Sequence, residues 1–278
     1  MKPCLPADSL EKGHPLGQAM LAALAAAPGA DALPRVSHFE LAPARSAEGR
    51  GNNFAALVLD DGSIGLTYVA LDDALAQLRR QLASPEFSLT GQSVLKIARY
   101  FLGEPGWQRA LGLAAVNAAS QVLLGREGSL QPMPSTVPML DLQAGDHVGM
   151  VGHFGRLLDP IRAAGGRLTV IELDPSLVRE ENQLVVTLDP GRLTDCNKVI
   201  ITGTTLLNGS LDNILSYCAN AAQVNLLGPS ASCLGQPLFA RGVTRVGGFH
   251  ATNSEQFLSL WRAGAGWRDA GMRYQLCA

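Results

Sequence analysis

The chain has 278 residues, of which 47% are hydrophobic and 17% are charged, and its formal net charge is -2 at pH 7. A chain of this length and composition buries a sizeable core in one large domain or two ordinary ones, and two is the expected number. The nearly balanced charge, without any basic run, excludes the electrostatic footprint of a protein that binds nucleic acid or an anionic membrane.

The first half of the chain reads as strands followed by helices. A strand is predicted at Val36–Leu41, and two β-rich runs at Phe54–Leu59 and 64–69 flank an Asp-Asp-Gly-Ser sequence, which indicates a hairpin. Apolar residues at three- and four-residue spacing then predict helices at 71–82, 92–101 and 107–124. Strands first and helices afterwards are typical of an α+β layer.

A change of pattern separates this half from the rest. Residues 125–145 contain three prolines and no regular periodicity, so we place a linker there and expect domains at 1–140 and 141–278. Beyond the linker, strands alternate with helical segments, which predicts a mostly parallel sheet covered on both faces. The strands are expected at 147–151, 168–171, 184–188, 199–202, 224–227 and 243–246.

The N-terminal sequence and the cysteines indicate a cytoplasmic location. The sequence begins MKPCLPADSLEKGHP, which has no apolar core of a signal peptide, and no stretch approaches eighteen uninterrupted apolar residues. We therefore expect neither export nor membrane insertion. The cysteines are odd in number and scattered without a CxxC pair, which is typical of a reducing compartment. They are Cys4, Cys196, Cys218, Cys233 and Cys277.

Residues 148–175 spell a strand, a glycine turn, a helix and a second strand, as in the first half of a Rossmann-like sheet. Gly152 opens the turn, and Glu172 lies twenty residues later, where an acidic residue often binds ribose hydroxyls. However, the glycines are Gly149, Gly152 and Gly155. This GxxGxxG spacing, with His153 in the turn, favours an altered ligand over an ordinary dinucleotide.

Residues directly after each parallel strand are the best candidates for a binding site, because ligands of open parallel sheets bind at the carboxyl ends of the strands. The alternative is structural, since hydroxyl side chains cap helices and glycines permit tight turns without any ligand. The candidate ligand-binding residues are Gly152, Phe154, Gly155, Arg156, Thr202, Gly203, Thr204, Asn208, Gly228, Pro229 and Ser230.

Three residues carry candidate chemistry. His153, beside a helix N-terminus, suits acid–base work or metal ligation, and Glu172 is the second candidate acid–base group. In a catalytic site, Thr204, Asn208 and Ser230 would orient the substrate. Cys233 is a candidate soft-metal ligand or nucleophile, with a small packing residue as the alternative.

Two other polar residues follow strands. Asp174 precedes Pro175, which predicts an N-cap with proline at the first helical position. His250 follows a likely strand end and is expected to enter the same cleft as His153.

Six stretches taken in order carry a family resemblance: GNNFAALVLDDGSIGLTYV, RALGLAAVNAAS, VGMVGHFG, IELDP, ITGTTLLNGSLDNIL and GPSASCLGQPLFARGVTRVGG. At these residues the chain resembles the "putative heavy-metal chelation" family. The resemblance implies an α/β fold, with an enolase N-terminal-like α+β domain followed by a Rossmann-like, mostly parallel sheet domain. It also implies a ligand site in the cleft between the two domains.

The resemblance adds Arg109 and Asn117 to the ligand-binding residues, because the cleft would bring their helix towards the strand-end loops. A metal would be held by His153, Glu172 and Cys233, with a small-molecule chelate supplying the other ligands. The implied function is the binding of a small anionic or metal-chelating ligand, with a transition metal or metal chelate as the bound group.

Two alternatives remain open, and the sequence leaves open whether the protein is an enzyme. In the first, a nucleotide- or S-adenosylmethionine-dependent enzyme, the loop from Gly152 to Gly155 cradles NAD or S-adenosylmethionine and Glu172 holds the ribose. In the second, the chain is a non-catalytic scaffold or a homo-oligomeric interaction module without a ligand.

Overall fold

The computed structural model describes residues 14–43, 53–133 and 137–278. They form a mixed α/β fold with a small antiparallel sheet and a separate, large, mostly parallel sheet, which confirms the expected fold class. Cys4 lies outside the described residues. The described residues contain no helix that is both long enough and apolar enough to cross a membrane.

The small sheet has the order β1-β2-β3, formed by β1 (Val36–Leu41), β2 (Phe54–Leu59) and β3 (Ile64–Tyr68). The predicted hairpin joins β2 to β3, and the backbone N–H of Ser63 donates to Asp61 Oδ1 at 2.9 Å within its turn. The neighbouring helices are α1 (Pro15–Ala26), α2 (Ala74–Leu82) and α3 (Val94–Ala98).

The central helix α4 (Trp107–Glu127) is buried on all sides from Arg109 to Leu124. A helix that is apolar around its whole circumference needs contacts on every face. Gly65 of β3 permits one of them, because a Cβ at this position would lie 2.0 Å from the carbonyl oxygen of Ala114. The backbones of β3 and α4 therefore pack directly against each other.

The large sheet has eight strands in the order β11-β10-β9-β8-β4-β5-β7-β6. They are β4 (His147–Val151), β5 (Arg167–Ile171), β6 (Arg179–Glu181), β7 (Leu184–Thr187), β8 (Lys198–Thr202), β9 (Gln223–Leu227), β10 (Arg245–Ala251) and β11 (Gly271–Cys277). Six neighbouring strands of this sheet are parallel: β7, β5, β4, β8, β9 and β10. If these six are renumbered from 1 to 6 along the chain, their order in the sheet is 3-2-1-4-5-6, which is that of a doubly wound Rossmann sheet. The sequence did not predict the two antiparallel edge strands, β6 and β11.

The helices of this half are α5 (Gly155–Ala163), α6 (Thr205–Asn208), α7 (Leu211–Ser216), α8 (Gln236–Phe239) and α9 (Ser254–Arg262). Alternation along β4 separates two faces of the sheet. Val148 and Met150 pack with Leu157 of α5, whereas Val151 belongs to the core that contains α4. The small sheet and one face of the large sheet therefore share a single core through α4.

The predicted linker also packs on the large sheet. Within residues 125–145, the backbone N–H of Met133 donates to the carbonyl of Arg273 at 2.7 Å, and Met139 and Leu140 are buried. The division into domains at residue 140 stays a prediction.

Candidate functional site

The loop after β4 lies where the strand order of the large sheet reverses. Gly152 has φ +82° and donates its N–H to the carbonyl of Ile171 at 3.0 Å. A Cβ at Gly152 would lie 3.0 Å from Thr202 Cγ2, so the loops after β4 and β8 touch. Gly149 has a different role: it lies within β4, where a Cβ would lie 2.6 Å from Leu193 Cδ2. Of the three glycines in the GxxGxxG pattern, Gly152 thus forms the turn and Gly149 permits close packing.

His153 and Glu172 leave neighbouring strands of this edge. The parallel register pairs Val151 with Ile171, so the two side chains follow adjacent strand ends. His153 is exposed, and among the described residues its ring has no hydrogen-bond partner. Glu172 is half-buried and accepts an N–H from Leu173 at 3.3 Å. Both groups therefore remain available to a ligand.

Two other candidates flank His153. Phe154 is half-buried and packs against the core on the α5 face, and its N–H points to Met150 Sδ at 3.3 Å. Gly155 begins α5, and Arg156 follows it with an exposed side chain.

The hydroxyl groups after β8 are engaged with the local backbone. The Thr205 hydroxyl donates to the Thr202 carbonyl at 2.7 Å, and Thr202 Oγ1 accepts the Thr204 N–H at 3.3 Å. Asn208 Oδ1 accepts from the N–H and the hydroxyl of Ser210 at 3.0 and 2.7 Å. These bonds are those expected for turn and cap residues, so the structural alternative applies to this loop. Gly203 allows a close approach, since a Cβ there would lie 2.8 Å from the backbone nitrogen of Ala231.

The loop after β9 joins the two sheets. Gly228 has φ +120° and precedes a 3₁₀ turn at Pro229–Ala231. In this turn, Ser230 Oγ accepts the backbone N–H of Tyr68 at 2.9 Å. The Asn117 side-chain amide donates to the carbonyls of Leu66 and Ser230 at 2.7 and 3.0 Å.

Both side chains are buried: Asn117 is 0% exposed and Ser230 is 2% exposed. Asn117 Oδ1 is also buried, and it has no partner among the described residues. The amide donors of Asn117 and the hydroxyl of Ser230 thus hold α4 and β3 against the large sheet rather than facing solvent.

Arg109 makes a second joint of the same kind. Its Nε and Nη2 donate to the Gly103 carbonyl at 3.0 and 2.8 Å, and its Nη1 donates to the Leu207 carbonyl at 3.4 Å. Burial lowers the pKa of this arginine, and Glu104 opposes the shift. The guanidinium therefore connects α4 to α6.

Sequence reasoning missed a third joint, centred on Gln121. Its Nε2 donates to the Ser232 carbonyl at 2.9 Å and to the Tyr274 hydroxyl at 2.8 Å. Its Oε1 lies 3.0 Å from His250 Nδ1, so that nitrogen carries the proton and donates. Burial lowers the pKa of His250. Gln121 lies one helical turn after Asn117, and this i, i+4 spacing was the available signal.

We call these contacts the seam: Arg109, Asn117 and Gln121 of α4, together with the groups that they bind in α6, in the loop after β9, in β10 and in β11. His250 belongs to the seam through Gln121. The expected approach of His250 to His153 has no support in the contacts of either ring.

Cys233 is 0% exposed, and its Sγ lies 3.7 Å from the carbonyl of Ala231. Burial raises the pKa of its thiol to about 12. A buried, protonated thiol is neither a nucleophile nor a ready metal ligand. The structure therefore favours the packing alternative for this residue. Among the described residues, no group of three or more His, Cys, Asp or Glu side chains is placed to hold a metal, so His153, Glu172 and Cys233 do not form a three-ligand site.

Asp174 caps the turn that follows it. Its side chain accepts the Ser176 N–H at 2.9 Å, with Pro175 at the first position of the 3₁₀ turn Pro175–Leu177. Hydrogen bonding from the Ser176 side chain, and then from its backbone N–H, lowers the pKa of Asp174. The predicted N-cap is confirmed, although it caps a short turn rather than a long helix.

A small pocket lies where the loop after β3, the start of α4 and α6 meet, and it has room for about one water molecule. Small-molecule sites usually measure about 300–1,000 Å³, so this pocket is far too small to be one. Of the predicted site residues only Asn208 lines it. The lining residues are Tyr68, Leu71, Asp72, Ala74, Pro105, Gly106, Ala110, Leu207 and Asn208.

The fold and the strand-end loops define an α/β protein of the doubly wound class, and sequence comparison gives its family. Two family profiles match, DUF364 at residues 136–275 and DUF4213 at residues 49–120, and both are described as "Putative heavy-metal chelation". The chain belongs to this family.

Relatives extend the likeness over nearly the whole chain. A DUF364 protein of unknown function from Desulfitobacterium hafniense shares 18% identity over 95% of this chain and 98% of its own, with a TM-score of 0.69. Another, from Pyrococcus horikoshii, shares 18% identity over the same fractions, with a TM-score of 0.66. At this identity the likeness concerns the fold.

An uncharacterized protein of Methanocaldococcus jannaschii is 29% identical over 140 residues, which are 50% of this chain and 53% of that protein. The match thus spans about half the length of this curated relative.

Proposed function

We propose that this protein binds a small anionic chelator together with its transition metal, at the carboxyl edge of the large sheet. The metal would be held by His153 and Glu172. These two residues lie in the part of the predicted interdomain cleft that the contacts of the seam do not fill. The family description, heavy-metal chelation, supports a metal as part of the ligand.

One observation carries the proposal: two available donor side chains follow the adjacent strands β4 and β5. An imidazole nitrogen and a carboxylate oxygen both suit divalent transition metals. Two protein donors fill at most half of a tetrahedral coordination sphere, and the buried thiol of Cys233 does not add a third. The remaining ligands would come from the chelator, so a metal chelate fits better than a bare ion.

The strand order favours a second candidate, a nucleotide- or S-adenosylmethionine-dependent enzyme. In a sheet of this order the residue at the end of the second strand often binds ribose, and Glu172 follows β5 at that place. Against this candidate, His153 occupies the turn through which a pyrophosphate would approach the backbone.

Calorimetric titration tests the proposal, with Zn²⁺ and the 1:1 complex of Zn²⁺ with citrate as probes. We expect the complex to bind more tightly than the free ion. His153→Asn and Glu172→Gln should each weaken its binding roughly tenfold or more, because each removes a ligand of the metal. Glu255→Gln, at an exposed carboxylate in the first turn of α9, is the matched control and should bind as the wild type does.

Equal affinity in the wild type and both variants would overturn the proposal. A thermal shift with NAD or S-adenosylmethionine that Glu172→Ala abolishes would replace it with the second candidate.

A further inference from the structure

Three arginines from separate parts of the chain lie at the same edge of the large sheet. Arg156 is in the first turn of α5, directly after the loop that follows β4. Arg268 is in the 3₁₀ turn Trp267–Ala270, and Arg273 is the third residue of β11. No candidate role in the site described above uses Arg268 or Arg273.

The position of Arg273 follows from the sheet. Its neighbour Tyr274 contacts Gln121 of α4, and side chains alternate between the faces of a strand. Arg273 therefore points to the opposite face, which is the face that α5 covers. In the register Arg273 pairs with Phe249, near the end of β10 where Ala251 pairs with Gly271. This end is the carboxyl edge, at which α5 begins.

A ring contact orients Arg268. Its guanidinium carbon lies 4.8 Å from the centre of the Trp267 ring, and Trp267 is buried in the core. A cation held over an aromatic face keeps its N–H groups free at its edge, where they can bind an anion.

Among the residues that the structure describes, no carboxylate balances the charges of the three arginines. In the described residues, none of them forms an ion pair with a carboxylate. Desolvation lowers the pKa of Arg268, and repulsion from Arg156 and then Arg273 lowers it further. Three unpaired positive charges thus lie close together in a chain whose formal net charge is -2.

We propose that Arg156, Arg268 and Arg273 form an oxyanion site that binds the phosphate or carboxylate groups of a small polyanion. The guanidinium fork matches both groups, because it presents parallel N–H donors to two oxygens. Arg156 follows His153 by three residues. The inference rests on the proposed function for the identity of the ligand: the site would hold the anionic end of the chelate whose metal lies at His153 and Glu172.

The test uses anions without any metal. Inorganic phosphate and citrate are titrated into the full-length protein at constant ionic strength, and binding is followed by calorimetry and by the melting temperature. Arg156→Gln, Arg268→Gln and Arg273→Gln should each lose roughly tenfold in affinity, as expected for one charge-assisted contact. Arg80→Gln, at an exposed arginine of α2, is the matched control and should bind as the wild type does.

A second readout does not depend on binding. Because like charges repel, Arg268→Gln should leave the melting temperature of the anion-free protein unchanged or raise it, whereas a merely structural arginine would lower it. Binding of phosphate alone would assign the site to phosphate esters, and binding of citrate alone would assign it to polycarboxylates.

The inference is overturned by absence of saturation with both anions up to about 10 mM, or by equal affinity in all three variants and the control. These outcomes are separate from those of the metal titration. If phosphate binds but His153→Asn leaves zinc citrate binding unchanged, the oxyanion site stands and the metal site fails.

Discussion

The carboxyl edge of the large sheet has two unlike halves. After β4, β5 and β7 the loops are open, and apolar side chains there face solvent: Leu173 is 78% exposed and Leu188 is 46% exposed. After β8 and β9 the loops are covered by α4 and β3, and Ser230 is 2% exposed. The first half leaves His153 and Glu172 available, whereas the second uses its polar groups in the seam.

This difference shows that the position after a parallel strand does not by itself define a binding group. The rule that ligands bind beyond the carboxyl ends of strands identifies the correct edge. In the covered half, however, the small sheet and α4 occupy the space that a ligand would need. Function is therefore expected in the open half, and stability in the covered half.

The largest expected effect concerns Asn117 in the covered half. Asn117→Ala removes two amide donors and leaves the carbonyls of Leu66 and Ser230 buried and unpaired. We expect the free energy of unfolding to fall by about 3 kcal/mol. Urea unfolding measures it, and Asn213→Ala at an exposed site of α7 is the control, with a change within about 0.5 kcal/mol. A loss as small as that of the control would show that the seam does not join the sheets.

Ser230→Ala should have a smaller effect of the same kind. It removes the oxygen that accepts the Tyr68 N–H and leaves that donor buried. The expected loss is about 1–2 kcal/mol by urea unfolding. Because Ser230 also binds Asn117 through its carbonyl, the losses of the two single variants should not add up in the double variant. Strict additivity would contradict a shared joint.

Acidification should also weaken the covered half, through His14 beside Arg109. The pKa of His14 is lowered from 6.5 to about 4, mainly by burial. The positive charges of Arg109 and Arg241 also lower it, and the negative charge of Asp212 opposes the shift. Between these two values the unfolded chain binds a proton that the folded chain does not. The free energy of unfolding therefore falls as the pH drops through this window, and the contribution of His14 becomes constant below it.

The size of this effect is on the order of 1 kcal/mol after allowance for the partly exposed ring. Urea unfolding at several pH values between 7 and 4 measures it. His14→Asn should reduce the slope of stability against pH. If the variant and the wild type lose stability in parallel, His14 is not the group responsible.

Local signals predicted much of the fold. The strands Val36–Leu41, Phe54–Leu59 and His147–Val151 lie at the residues expected from their apolar runs, and the hairpin turn was marked by its Asp-Gly sequence. The edge strand β6, with the sequence Arg-Glu-Glu, has no apolar pattern, because an edge strand with both faces exposed needs none. Its existence depends on pairing with β7, which only the tertiary structure provides.

The candidate site was predicted in part for a related reason. Chain order locates every strand end, and so the loops containing His153, Thr202 and Ser230 were all found. It does not tell which of them another part of the chain covers. Arg268 and Arg273 were missed because neither follows a strand of the parallel set: the sheet brings them to the edge through the antiparallel β11.

The smallest expected effect on stability concerns the open half. Glu172→Gln and His153→Asn should each change the free energy of unfolding by no more than about 0.5 kcal/mol, because the only contact of the Glu172 carboxylate found in the described residues is with the adjacent Leu173 N–H. The same two variants should nevertheless lose the binding of zinc citrate. Urea unfolding and calorimetry on the same preparations measure both quantities. A loss of stability comparable to that of Asn117→Ala would mean that these groups are structural too, and the contrast between the two halves of the edge would disappear.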